Sequence, residues 1–153
     1  MAPAVEEIRM RAAEPELRTP SAEPRLNIEV VFTSMEATPA ALRQAGELAN
    51  QLAARITLVV PQVVPLPLPL EEPPVRLEWS ERRLRAIAAE SPVETRVEIY
   101  LCRDSIPTLC AVLKPHSVVV LAGRKRWWWP TWEGKLSRVL RADGHAVIFA
   151  EAE

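Results

Sequence analysis

Ser117-Val-Val-Val-Leu-Ala-Gly123-Arg-Lys-Arg-Trp-Trp-Trp-Pro-Thr-Trp-Glu-Gly-Lys135 is the stretch on which the fold is read. An unbroken Val/Leu run from Val118 to Leu121 predicts a strand buried on both faces. Such strands belong to parallel sheets whose helices cover both sides. The run stops at Gly123, a basic and tryptophan-rich loop follows, and a helix opens near Gly134. A loop in that place lies at the carboxyl edge of the sheet, where open α/β folds bind their ligands.

Downstream, Leu136, Val139 and Leu140 mark a helix that Asp143-Gly144 ends, and Ala146-Val-Ile-Phe149 follows as the last strand. Upstream, Ile106, Leu109, Cys110 and Leu113 form one stripe of a helix capped by Asp104 or Ser105 and stopped by Lys114-Pro115. Before it, Val93, Thr95, Val97, Ile99 and Leu101 alternate with Glu94, Arg96, Glu98, Tyr100 and Cys102. One polar and one apolar face at period two predict a half-exposed strand at a sheet edge.

Nearer the start, Leu26-Asn-Ile-Glu-Val-Val-Phe32 reads as the first strand, and Thr38 as the N-cap of a helix with Pro39 at its first position. Leu42, Ala45, Leu48, Ala49 and Leu52 recur at helical spacing, and Ile56-Thr-Leu-Val-Val60 comes next as a strand. That is the strand–helix–strand unit of a right-handed parallel crossover. Pro61 to Pro74 holds Pro65-Leu-Pro-Leu-Pro-Leu70 and predicts a stiff, extended connector, either leaning its leucines on the domain or docking a partner. Val75 to Ala89 predicts the next helix, with Leu77, Leu84, Ile87 and Ala88 inward and Ser91-Pro92 as its stop.

Residues 1–24 mix Glu, Arg, Ala and Pro with few large apolar groups, which predicts a loosely ordered tail with a transient helix near Glu6 to Ala13. Residues 25–153 then form one α/β domain, β-α-β-α-β-α-β-α-β, a five-stranded parallel doubly wound sheet with helices on both faces.

Composition narrows the functions. The 153 residues suffice for one core. A net charge of −1 offers no global attraction to nucleic acid or anionic membrane, so any such contact needs a local patch, and no nucleic-acid partner is expected. No apolar run approaches a membrane span and the start has no leader-like apolar core, so a soluble, cytoplasmic protein is expected. Cys102, Cys110, His116 and His145 are the only residues of their types and have no zinc-ligand spacing, so no metal is expected. Free, buried thiols are the leading expectation for the two cysteines, with a disulfide between them the alternative. There is no G-x-S-x-G elbow, no phosphate loop of the form Gly-x-x-x-x-Gly-Lys-[Ser/Thr], and no histidine beside a plausible nucleophile in sequence, which points away from an enzyme.

Three stretches carry a family resemblance. "ALRQAGELANQLAARITLVVPQVVP", "CRDSIPTLCAVLKPHSVVVLAG" and "LSRVLRADGHAVIF" resemble the first helix and second strand, the third helix and fourth strand, and the last helix and strand of the universal stress protein family. The likeness spans about residues 26–150 and rests on layout and hydrophobic pattern. It implies a sheet order of 3-2-1-4-5, a nucleotide cleft between strands one and four, and a homodimer built through the final strand, here Ala146, Val147, Ile148 and Phe149.

Nucleotide-binding members of that family carry an Asp after strand one and a loop of the form G-x-x-G-x9-G-[ST]. The glycines let backbone approach phosphate, and the hydroxyl meets it at a helix N-terminus. In this sequence Thr33 stands where the Asp would be, Gly123 matches the first glycine, and Arg126 replaces the second. Gly134 arrives early for the third, Lys135 replaces the Ser/Thr, and Ser137 lies one turn on. The resemblance therefore implies a degenerate site for ATP or AMP, in which Arg124, Arg126 and Lys135 replace backbone by charge.

The loop itself, Lys125 with Trp127, Trp128, Trp129 and Trp132, admits several readings. The indoles fill the cleft, or form a protein interface, since Trp and Arg dominate binding hot spots. Alternatively they meet a membrane surface, where tryptophan prefers the headgroup region and basic neighbours attract anionic lipid. Stress-protein-like cytoplasmic domains of bacterial amino-acid permeases carry a similar Arg-Arg-Trp-Trp sequence at this place, which implies a regulatory role near a membrane. Single-stranded nucleic acid is the weaker option. The leading expectation is a non-catalytic regulatory or stress-response module. A membrane-proximal interaction domain and a weak ATP hydrolase are the alternatives.

Overall fold

The structure, a computed structural model, describes residues 5–12, 26–73, 77–124 and 131–151. Its strands are β1 (Val5–Ala12), β2 (Asn27–Val31), β3 (Arg55–Val63), β4 (Thr95–Cys102), β5 (Val118–Gly123) and β6 (Ala146–Glu151). Its helices are α1 (Thr38–Leu52), α2 (Leu77–Ala88), α3 (Ser105–Val112) and α4 (Trp132–Ala142). All strand pairs are parallel, in the order β1-β4-β3-β2-β5-β6. Strands β2 to β6 reproduce the expected 3-2-1-4-5 order. The chain runs from β2 outward through β3 to β4 and returns to the other side of β2 as β5. The strand order therefore reverses between β2 and β5, and this switch point is where a doubly wound fold opens a crevice.

Both faces are covered, as the Val/Leu runs demand. Ala41, Leu42, Ala45 and Ala49 of α1 and Leu84, Ile87 and Ala88 of α2 pack with Ile28, Val30, Ile56, Leu58, Val97, Ile99 and Val120. On the other face Leu109 and Leu113, from α3 and just after it, join Leu136 and Leu140 of α4 on Val31, Val59, Tyr100, Val119 and Leu121. Alanines on α1 let that helix sit close to the sheet. Gly46 brings it closer still to the turn after α2: a Cβ there would lie 2.4 Å from Pro92 Cγ.

Four expectations are corrected. The segment Val5–Ala12, expected within a tail with a transient helix, is a strand paired parallel with β4 from Val5↔Thr95 to Ala12↔Leu101, with a register shift between Val5 and Ile8. Its sequence alternates Ile8, Met10 and Ala12 with Arg9 and Arg11, the period of a strand. The outer row of β4 backbone groups supplies the ladder that composition alone could not foresee. Residues 1–4 and 13–24, the rest of that tail, lie outside the described residues.

As a result β4 is an inner strand, and its polar face is buried from Glu98 to Cys102, with Arg96 half-buried. Glu98 and Tyr100 are 7% and 4% exposed, and the Tyr100 hydroxyl donates to Glu98 Oε2 at 2.7 Å. Alternation here marks a polar layer inside the fold, because hydrogen-bonded polar pairs can be buried at little cost.

The proline segment is not an extended connector. β3 continues to Val63 through Pro61. The missing N–H costs nothing there: Val59 O accepts from Phe32 N, so alternation turns residue 61 toward β2, which has already ended at Val31. Beyond it, turns close by Leu68 N–H to Pro65 O and Glu72 N–H to Pro69 O.

Thr38 does not cap α1. The N-cap is Ala37, and the Thr38 hydroxyl instead accepts from Thr33 N–H at 3.2 Å, because the chain after β2 doubles back over the helix start.

Candidate functional site at the sheet switch point

Thr33 follows β2 and Gly123 ends β5, so the topology puts them side by side at the carboxyl edge. The Thr33 hydroxyl donates to Ala122 O at 2.6 Å, a bond across 89 positions of sequence. Its backbone N–H is held by Thr38. The Thr33 hydroxyl and N–H are thus both committed within the protein, where an acidic residue would project a carboxylate.

The second wall is the first turn of α4. Thr131 is its N-cap, and its hydroxyl accepts from Gly134 N–H at 3.1 Å. Glu133 follows in the first turn, where a carboxylate is favoured by the positive end of the helix. Its stem lies on Gly123: a Cβ on that glycine would be 2.8 Å from Glu133 Cγ and 2.9 Å from Glu133 Cβ. Glycine is thus required here, yet the close approach it permits is by a glutamate side chain of the same chain. A buried Gly123 under an acidic residue offers little to an anion.

The remaining site residues divide. Arg124 and Lys135 are exposed. Ser137 is 3% exposed on the inner side of α4, and its Oγ has no hydrogen-bond partner among the described residues. Lys125, Arg126, Trp127, Trp128 and Trp129 lie outside the described residues. Trp132 opens α4 and is 36% exposed. Thr33 and Gly123 meet at this rim, with the first turn of α4 beside them, and the helix that Gly134 was to open begins two residues earlier with Trp132.

Two features were not legible in the sequence. Arg103, just past β4, donates from Nη1 to Val64 O at 2.9 Å and to Leu68 O at 2.8 Å, fastening the proline turns to the same edge. A lone basic residue after a strand gives no signal of that. At the opposite edge His145 Nδ1 lies 3.2 Å from Ser117 Oγ, and its Nε2 lies 3.8 Å from Asp143 Oδ2. The histidine remote from every nucleophile in sequence thus meets a serine in space. The Asp contact is too long for a hydrogen bond, and the imidazole serves to join the turn before β6 to the start of β5.

Burial pushes the Cys102 thiol up, with Asp104 adding to the effect and a Thr108 hydrogen bond opposing it. Burial also raises Cys110, helped by Asp143. Both are free thiols held in the neutral form. Among the described residues no group of His, Cys, Asp or Glu could hold a metal ion, and no helix is long and apolar enough to cross a membrane.

No protein-family model matches this chain, and no curated protein matches it.

Proposed function

We propose that this protein is a non-catalytic regulatory or stress-response module of the universal stress protein type, cytoplasmic and homodimeric, whose nucleotide site is degenerate. The observation that carries the reading is Glu133. Its stem lies on Gly123, the glycine that the family pattern leaves open to phosphate. The neighbouring donors support the same reading. Thr33 is committed to Ala122, and Gly134 N–H to Thr131. A phosphate arriving there would displace a hydrogen bond and face a carboxylate, so ATP and AMP are disfavoured on both counts. Isothermal titration with ATP, ADP and AMP tests this. The expected result is no binding tighter than roughly tens of micromolar, and a tighter complex would overturn the degenerate site.

A second reading, an interaction domain near a membrane or a protein partner, draws on Trp132. It is 36% exposed at the same rim as the exposed Arg124 and Lys135. Exposed indole beside cations suits an anionic lipid surface. A blue shift of tryptophan fluorescence with anionic vesicles, absent with neutral ones, is its expected sign.

A further inference from the structure

The large apolar side chains that stay exposed among the described residues are unevenly placed. Leu26 and Leu52 sit at the amino edge of the sheet. Val63, Leu66, Trp79 and Trp132 all sit at the carboxyl edge, at the end of β3, in the turns after it, or in the first turns of α2 and α4. Single exposed apolar groups are ordinary, but their concentration at one edge marks a contact surface. Leu66 is the most exposed of them, at 79%. It is also held in place. Pro65 and Pro67 fix the backbone on either side, Leu68 N–H closes the turn on Pro65 O, and Arg103 donates to Val64 O and Leu68 O. A side chain presented on a preorganised turn loses little freedom when it docks.

The charges at this edge divide between its two halves. Glu71 and Glu72 follow Leu66 on the β3 side, while Arg124 and Lys135 bracket Trp132 in the chain on the β5 side, and all four are exposed. None of the four forms an ion pair among the described residues. Glu133 runs against this division, but its stem is packed on Gly123. One half is thus apolar and acidic and the other apolar and cationic, so the edge is complementary to itself. In the sheet order β3 and β5 flank β2, which puts Thr33 between the halves. A two-fold axis crossing the edge near Thr33 lays the acidic half of each copy on the cationic half of the other, the self-matching contact that closes a dimer. An anionic lipid surface fits this edge less well, because it would repel Glu71 and Glu72.

We infer that the homodimer proposed above, on which this rests, closes through the carboxyl edge, with Leu66, Glu71 and Glu72 of each copy seated on Trp132, Arg124 and Lys135 of the other. Such a contact covers the rim at Thr33 and Gly123, in keeping with a site that no longer takes nucleotide. Sedimentation equilibrium on the full chain gives the dimer dissociation constant for the parent, for Leu66→Asp, for Glu71→Arg with Glu72→Arg, for Arg124→Glu with Lys135→Glu, and for the two reversals combined. All the altered residues are exposed, so each variant should unfold with the parent's Tm. A buried leucine is lost twice per dimer, so Leu66→Asp should weaken it by about a hundredfold. Exposed ion pairs are each worth up to about fivefold and symmetry repeats them, so either reversal should weaken it by at least about tenfold. The combined reversal should regain most of that loss. A dimer indifferent to Leu66→Asp and to both reversals, or one that the combined reversal fails to rescue, overturns this face and leaves the homodimer standing. Binding to phosphatidylserine vesicles that Leu66→Asp abolishes, with the dimer unaffected, gives the edge to lipid and overturns it too. A full-length chain that is monomeric at tens of micromolar removes the homodimer and this inference together.

Discussion

Replacing Gly123 by alanine probes the contact on which the functional reading turns. The added methyl would sit 2.8 Å from Glu133 Cγ and 2.9 Å from Glu133 Cβ. Carbon atoms rest at about 3.5–4.0 Å, so roughly 0.7 Å or more of movement is needed. A glutamate tip could swing away, but Cβ is fixed to the helix backbone, and the first turn of α4 must give. Overpacking of this kind costs about 1–3 kcal/mol. Alanine recovers about 0.5–1 kcal/mol of the strand cost of glycine, so the net loss is up to about 2.5 kcal/mol, centred near about 1 kcal/mol. For a chain of this length a loss of about 1 kcal/mol lowers Tm by about 2–4 °C. In a Glu133→Gly background the obstructing stem is gone, and Gly123→Ala should change sign and stabilise. Urea unfolding of the four proteins, followed by circular dichroism, gives the coupling energy, expected at about 1–3 kcal/mol. A coupling below about 0.5 kcal/mol would refute the reasoning, since independent sites add to within that margin.

Other outcomes follow from the same structure. Gly46→Ala should destabilise by about 1–2 kcal/mol despite the usual helical gain, because its Cβ would lie 2.4 Å and 2.5 Å from Pro92 Cγ and Cδ; Pro92→Ala should turn the effect into a gain in the same unfolding assay. Thr131→Ala removes the cap on Gly134 N–H and should cost α4 about 1 kcal/mol, with amide exchange fastest in its first turn. The raised thiols predict a pH dependence of stability. A group whose pKa is higher folded than unfolded stabilises fully below its unfolded value and loses that contribution as pH rises beyond it. Stability should therefore fall as pH climbs through the ordinary thiol range, and Cys102→Ala should flatten the decline measured by urea titration at stepped pH.

The order of elements was legible because each carries its own period. The apolar run at Val118–Leu121 and the 3.6-residue stripes of α1 and α4 report burial directly, and burial on two faces already requires a parallel sheet. The side-by-side placement of Thr33 and Gly123 was implied by the family resemblance, through its 3-2-1-4-5 sheet order, and not by these periods. Neighbour identity is not carried by period either. The strand Val5–Ala12 has a two-residue rhythm, but a rhythm cannot name its partner, and without β1 the polar alternation of β4 reads as an edge. The same limit hid the turns at Pro65–Glu72, which Arg103 secures from 35 and 39 positions away.

What the sequence determined by itself was the class of fold and the rim where its ends converge, since hydrophobic periodicity is local and acts residue by residue. What only the tertiary structure decided was how that rim is filled. A glutamate in the first turn of a helix has the same local reason to be there whether or not a glycine lies beneath it. Only the packing of α4 on β5 sets Glu133 over Gly123 and ties Thr33 to Ala122, because contacts between distant segments arise from the shape of the whole layer.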